Sequence, residues 1–160
     1  MYIKDLKGRE ARATATILPK VEIDSLRAVW DKADTAASLL TTIKDDPAQK
    51  NYYRRFINRG STKPDTSGRR RSDTWFSDQT ATNNRVTIGT GFSYKRGDTA
   101  IVTFFPLSKE YFDFLNSVDD AKDANGSPFQ QPSVIVSNIK GGVGIFTTLV
   151  ATQDTIFLKK

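Results

Sequence analysis

The strongest constraint on the fold is the run Ser137-Asn138-Ile139-Lys140-Gly141-Gly142-Val143-Gly144-Ile145-Phe146, which places three glycines in four positions. It lies between two β-prone stretches, Val134-Ile135-Val136 and Val143 to Val150. Glycine in such a setting serves a positive φ or a close backbone approach, and inside a strand pattern it marks a bulge or a tight bend. A phosphate loop would need Gly-Lys-Ser/Thr opening a helix, but here Gly144 is followed by the strand-forming Ile145-Phe146-Thr147-Thr148. Gly141, Gly142 and Gly144 are therefore expected to be structural, lining a bend with Ile145 and Phe146 on a strand.

The remaining pattern is mostly β. Ala11, Ala13, Ala15 and Ile17 alternate with Arg12, Thr14 and Thr16, which predicts a strand up to Pro19. Val21 to Leu26 alternates again and continues toward Trp30. Residues 31–46 are ambiguous: Ala33, Ala36, Ala37, Leu39 and Leu40 fit a short helix, whereas Thr41-Thr42-Ile43 favours a strand. Asn51 to Ile57 and Arg85 to Ile88 read as strands. Phe92-Ser93-Tyr94, the turn Lys95-Arg96-Gly97-Asp98 and Thr99 to Phe105 read as a hairpin. The near-continuous apolar run Ile101 to Phe105 implies a strand covered on both faces. Ser108 is a helix N-cap with Glu110 in the first turn. Tyr111, Phe114, Leu115 and Val118 then follow one helical stripe, giving a helix over 109–122. Strands are predicted over 133–138, 143–150 and 154–158. The expected fold is all-β with one packed helix, a β-sandwich or partly open barrel, forming a single β-rich domain over 1–160.

Composition narrows the chemistry. The chain has no Cys and no His, which removes thiolate nucleophiles, imidazole acid–base catalysis and the usual zinc ligand sets. The acidic stretch Asp119 to Gly126 does not fit a calcium loop: aligning Gly126 to the invariant glycine puts Ala121 at the first ligand and Pro132 at the bidentate one. No carboxylates are spaced to suggest a catalytic pair. The expectation is a non-enzymatic chain with no catalytic residues, no cofactor and no metal. No apolar run is long enough for a membrane-spanning helix, and the first residues lack the apolar core of a signal peptide.

The chain carries 24 Lys and Arg against 18 Asp and Glu. Much of the excess sits in one segment, with Arg54, Arg55, Arg59, Lys63, Arg69, Arg70 and Arg71. Between Asn58 and Asp73 the composition turns to Gly, Ser, Thr, Pro, Asp and Arg, which predicts an exposed basic loop over 58–73. Basic and aromatic residues interleave around it, a combination that suits single-stranded nucleic acid or another polyanion. No nucleic-acid motif accompanies them, so a solvated loop is the stronger reading. The candidate partner or ligand surface comprises Trp30, Tyr52, Tyr53, Arg54, Arg55, Arg69, Arg70, Arg71 and Trp75, because interfaces favour aromatic and Arg anchors.

Several segments in order carry a family resemblance: Ala13 to Pro19 followed by Ile23-Asp24-Ser25-Leu26, Asn51-Tyr52-Tyr53-Arg54, Phe92 to Thr99, Leu107 to Leu115, and Ser127 to Pro132 running into Ser137 to Phe146. They resemble the C-terminal part of a family of uncharacterised Bacteroidota-type cell-envelope lipoproteins encoded beside TonB-dependent outer-membrane receptors. The resemblance implies that the chain is a truncation of a longer, lipid-anchored parent at the outer-membrane surface. It also implies an accessory role in ligand capture by a TonB-dependent receptor, with the ligand unknown. The family brings no catalytic residues to carry over. The alternative function is a basic β-domain that binds nucleic acid or another polyanion.

Overall fold

A computed structural model describes residues 1–60, 71–125 and 134–159. The chain divides into two compact units, one formed by Met1–Leu18 and Leu107–Leu149, the other by Pro19–Pro106 and Val150–Lys160. It is mostly β, with three antiparallel sheets and one helix, and it is not a closed barrel. Among the described residues no helix is long and apolar enough to cross a membrane.

The second unit is a two-sheet sandwich. One sheet has the order β3-β4-β7, from Ile23–Trp30, Ala37–Lys44 and Arg85–Gly89. The other has the order β6-β5-β8-β9, from Arg71–Ser77, Tyr52–Gly60, Thr99–Leu107 and Thr152–Phe157. Strand β4 is central in its sheet, pairing Leu39 with Ala28 on one side and Ile43 with Val86 on the other. Its period-2 alternation turns Ala37, Leu39, Thr41 and Ile43 inward, all of them fully buried. The opposing sheet contributes Tyr53 and Ile57 from β5 and Ala100, Val102 and Phe104 from β8. These side chains form one apolar core between the two sheets.

The helical option for residues 33–40 is thereby corrected. The residues between β3 and β4 are a turn, closed by Asp31, whose carboxylate accepts from the Thr35 amide at 2.8 Å and hydroxyl at 2.9 Å. Asp34 takes a φ of 55° there, a conformation that Asp tolerates better than most residues. The expected hairpin over 92–105 is also corrected. Only its turn and second strand form: Asp98 donates back to Lys95 at 3.0 Å, while Tyr94 makes a single bridge to Ala37. The expected loop over 58–73 is shorter at both ends, because β5 runs to Gly60 and β6 starts at Arg71, with Asn58 opposite Arg71. The rest of that stretch, including Arg69 and Arg70, lies outside the described residues.

The first unit holds a two-stranded antiparallel ribbon, β1 (Tyr2–Lys4) and β2 (Glu10–Arg12), and the helix α1 (Lys109–Asn125). Ser108 caps the helix, its Oγ accepting from the Tyr111 amide at 3.3 Å. Tyr111 and Leu115 are buried and Phe114 and Val118 half-buried, so the expected stripe is the inward one. Two strand expectations fail here. The strand predicted from Ala11 stops at Arg12, and Thr14 to Ile17 runs on exposed without a ladder. Val134 to Asn138 and Val143 to Val150 are likewise not strands, Ile145 and Phe146 included. Their residues are β-prone, but the described chain offers them no partner strand, and β-propensity expresses fit to a paired surface more than a backbone preference.

Candidate interaction surface

The glycine run closes a loop knitted by two polar side chains. Asn138 imitates a strand partner for Phe146: its amide Nδ2 donates to the Phe146 carbonyl at 2.8 Å, and its Oδ1 accepts from the Phe146 amide at 2.9 Å. Ser137 Oγ accepts from the amides of Ile139 and Gly144, both at 3.2 Å. The loop is anchored on β2 by one antiparallel bridge. Arg12 N–H donates to the Lys140 carbonyl, and Lys140 N–H donates to the Arg12 carbonyl, both at 2.9 Å. Gly141 follows with φ +84°, and a Cβ there would stand 2.1 Å from the Glu10 carbonyl oxygen. The expected positive φ is present at Gly141 and also at Gly144 (φ +140°).

This anchoring sets three side chains in one row. Tyr2 pairs with Arg12 across the ribbon, and Arg12 pairs with Lys140 across the bridge. Directly opposed residues in an antiparallel pair share a face, so Tyr2, Arg12 and Lys140 line up side by side. The Arg12 guanidinium lies 5.0 Å from the centre of the Tyr2 ring. The row forms one wall of an open groove of about 540 Å³, lined also by Ala13, Thr14 and Asn138. A smaller, more polar pocket of about 190 Å³ adjoins Thr14 and Asn138 and reaches Ser108 and Glu110.

The charge around the groove is uneven. Glu10 serves two cations at once, Arg12 at 3.0 Å and Lys4 at 3.5 Å, and also accepts from the Tyr2 hydroxyl. That hydroxyl and the Arg12 guanidinium hold the Glu10 carboxyl below its usual range. Lys140 is exposed and has no ion-pair partner among the described residues. Three cations thus stand against one carboxylate. The same unit leaves apolar side chains exposed: Tyr2, Ile3 and Leu6 on the ribbon, Ile17 beyond it, and Val143 in the glycine loop.

The residues expected from the sequence to form a partner surface are distributed differently. Tyr53 and Arg55 face the core and are 4% and 3% exposed, so the sandwich interior uses them and they are not surface residues. The Arg55 guanidinium donates to the carbonyls of Ile88 and Gly89, both at 3.2 Å, and its Nε has no partner among the described residues. Burial pulls its pKa down. Tyr52 is buried as well. Arg54 forms a bidentate pair with Asp73, at 2.9 and 2.7 Å, and lies over the Phe56 ring. Trp75 is half-buried and pairs with Arg54 across β5 and β6. Trp30 is half-buried beneath the Arg96 guanidinium, 4.4 Å from its ring, and Arg96 in turn pairs with Asp34. Arg71 begins β6. The structure brings together Tyr52, Arg54 and Trp75 on neighbouring β5 and β6, and Trp30 is on a strand of the other sheet. Sequence reasoning missed the Tyr2–Arg12–Lys140 row, because nothing local in the chain announces that Arg12 and Lys140 are paired.

Tyr53 carries a testable consequence. Its hydroxyl donates to Asp45 Oδ1 at 2.6 Å. Burial first, and that carboxylate second, raise its pKa far above the ordinary value of 10.0. A group whose folded pKa is raised lends stability that is whole below the unfolded pKa and is lost as pH climbs toward the folded one. Stability should therefore fall above about pH 10. The Tyr53→Phe variant should show a shallower alkaline loss in unfolding midpoints measured across pH 8–11, a range bracketing the unfolded value. Identical slopes for the two proteins would refute the assignment.

Among the described residues, no three His, Cys, Asp or Glu side chains are grouped to hold a metal ion. No curated protein and no solved structure matches the chain significantly. A family model does match, over residues 4–155. That span runs from the last residue of β1 into β9 and includes β2 through β8, the helix and the glycine loop, so the chain belongs to the family described as Domain of unknown function (DUF4249).

Proposed function

We propose that the chain is a non-enzymatic binding module of the bacterial cell envelope, which helps a TonB-dependent outer-membrane receptor capture or retain its ligand. The observation that carries this reading is the exposed apolar surface of the first unit. Tyr2, Ile3, Leu6, Ile17, Val134, Val143 and Leu149 are all open to solvent in this unit, and Tyr2 lines the groove of about 540 Å³. A unit of this size that leaves so many apolar side chains exposed beside an open groove offers surface that another molecule can cover. The envelope setting and the receptor come from the resemblance of the motifs between Ala13 and Phe146 to the lipoprotein family. Of the arginines that suggested a polyanion site, Arg54, Arg55 and Arg59 have partners within the fold, which lends that alternative less support, while Arg69 and Arg70 lie outside the described residues.

The test is co-expression of the parent protein with the receptor encoded beside it, followed by affinity purification in mild detergent. Retention of the receptor, and impaired receptor-dependent uptake on deletion of the parent, are the expected results. A parent that never retains the receptor, and whose deletion leaves uptake unchanged, overturns the proposal. So does salt-sensitive capture of short oligonucleotides as the sole binding activity, because phosphate-driven binding weakens steeply with salt.

A further inference from the structure

Two β-prone stretches, Thr14 to Ile17 and Val143 to Val150, run without a ladder. Side chains hold them instead. Thr148 Oγ1 donates to the Thr16 carbonyl at 2.9 Å, and Asn138 engages both backbone groups of Phe146, at 2.8 and 2.9 Å. Among the described residues, the amides of Thr14, Ala15 and Thr16 donate to no other backbone group. The pocket of about 190 Å³ is lined from both stretches and from the start of α1. Thr14, Thr16, Ser108, Glu110, Phe146 and Thr147 contribute to it, and all belong to the first unit.

The lining selects a kind of ligand. Four of these six residues carry hydroxyls, which both donate and accept, one carries a carboxylate, which accepts, and one is aromatic. Among the described residues the side chains of Thr14, Thr16 and Glu110 have no bonding partner. Ser108 Oγ accepts from the Tyr111 amide, so its O–H is left to donate. An anion in the pocket would meet Glu110. A cation would meet the positive end of the α1 dipole, with Arg12 and Lys140 in the adjoining groove. A neutral polar ligand avoids both. The volume is about six times the 30 Å³ share of one water, and it falls below the roughly 300 Å³ at which drug-sized pockets begin. It suits one small ring. A sugar ring carries hydroxyls around its edge and C–H groups on its faces, so it needs polar groups set about an aromatic surface. We propose that this pocket binds one neutral pyranose unit, with Phe146 against a face of the ring and Thr14, Thr16, Thr147 and Glu110 on its hydroxyls. Asn138 fixes Phe146 before the ligand arrives, which lowers the ordering cost of binding. The inference rests on reading the chain as a ligand-capturing module and names the chemical class of that ligand.

The experiment titrates methyl β-glucoside, methyl β-galactoside and methyl α-mannoside at millimolar concentrations into the intact, isotope-labelled chain, read by amide chemical shifts. At least one should bind and shift the amides of Thr14 to Thr16, Ser108 to Glu110, Phe146 and Thr147 together. Phe146→Ala should weaken that binding about tenfold or more, and Phe146→Trp should keep it. Because Phe146 is half-buried, the exposed Thr16 supplies a second variant. Thr16→Val keeps the shape, removes the hydroxyl, and should weaken binding about threefold or more. Glu110→Ala should weaken it about tenfold, and Glu110→Gln, which keeps an acceptor without the charge, by less. The uronic acid counterpart of the best glycoside should bind more weakly, and tetramethylammonium should shift none of these amides. Unchanged far-ultraviolet circular dichroism confirms that each variant is folded. Binding of no glycoside, shifts confined to other residues, indifference to both Phe146→Ala and Thr16→Val, or preference for the uronic acid or for tetramethylammonium overturns the proposal. If no glycoside binds while the receptor still co-purifies, only the sugar pocket is wrong. If a glycoside binds while the receptor is never retained, only the proposed receptor role is.

Discussion

Phe104→Ala should destabilise the protein by about 3–5 kcal/mol, the range for truncating a buried aromatic side chain. Phe104 is fully buried on β8, with its ring edge-on to Phe76 at 6.3 Å and an interplanar angle of 85°. It belongs to the core cluster that also takes Leu39 and Ile43 from β4 and Val86 from β7, so its ring fills space between two sheets. Alanine would leave a cavity bordered by β-strands, whose ladders resist collapse into it. The lost transfer energy and the unfilled cavity then add. Urea unfolding followed by far-ultraviolet circular dichroism measures the change as a shift in midpoint at constant slope. A loss below about 1 kcal/mol would mean that the site relaxes freely and that the two sheets are not packed as described.

The sandwich was legible in the sequence where a strand carries an unambiguous apolar signal, and obscured where its spacing also fits a helix or its inward face holds a polar side chain. Ile101 to Phe105 reads as a fully covered strand, and β8 is one. Strand β4 is harder to read. Its Ala and Leu spacing near 36–40 also fits a helix, and the inward Thr41 interrupts the apolar alternation. Tertiary pairing with β3 and β7 decides the matter. In β5 the inward set is Tyr53, Arg55 and Ile57, while Phe56 on the opposite face is buried too. A buried arginine that bonds carbonyls rather than a carboxylate defeats the usual inference from Arg to surface. Those carbonyls belong to β7, which local sequence around Arg55 cannot show. The same physics hid the interaction surface. A bend at the glycines follows from composition alone, but the backbone it leans on, Glu10 to Arg12, is near the other end of the chain.

Gly141→Val should cost about 3 kcal/mol or more, combining backbone strain with a steric clash that are each of order 1–3 kcal/mol. The φ of +84° penalises any β-branched residue. The added Cβ would also lie 2.1 Å from the Glu10 carbonyl oxygen. Because that obstacle is backbone, no rotamer of a neighbour can relieve it. The chain must instead draw the loop off β2, which breaks both bonds between Arg12 and Lys140. Gly142→Ala is the control. A Cβ there meets only Ile139 Cγ2, at an ordinary 3.4 Å, so its effect should stay within about 1 kcal/mol. Hydrogen exchange separates local from global damage. In Gly141→Val the amides of Arg12 and Lys140 should lose protection first, while those of β4 and β8 keep theirs. If Gly141→Val matches the parent in stability and exchange, the close approach of the loop to β2 is refuted, and the cationic row goes with it.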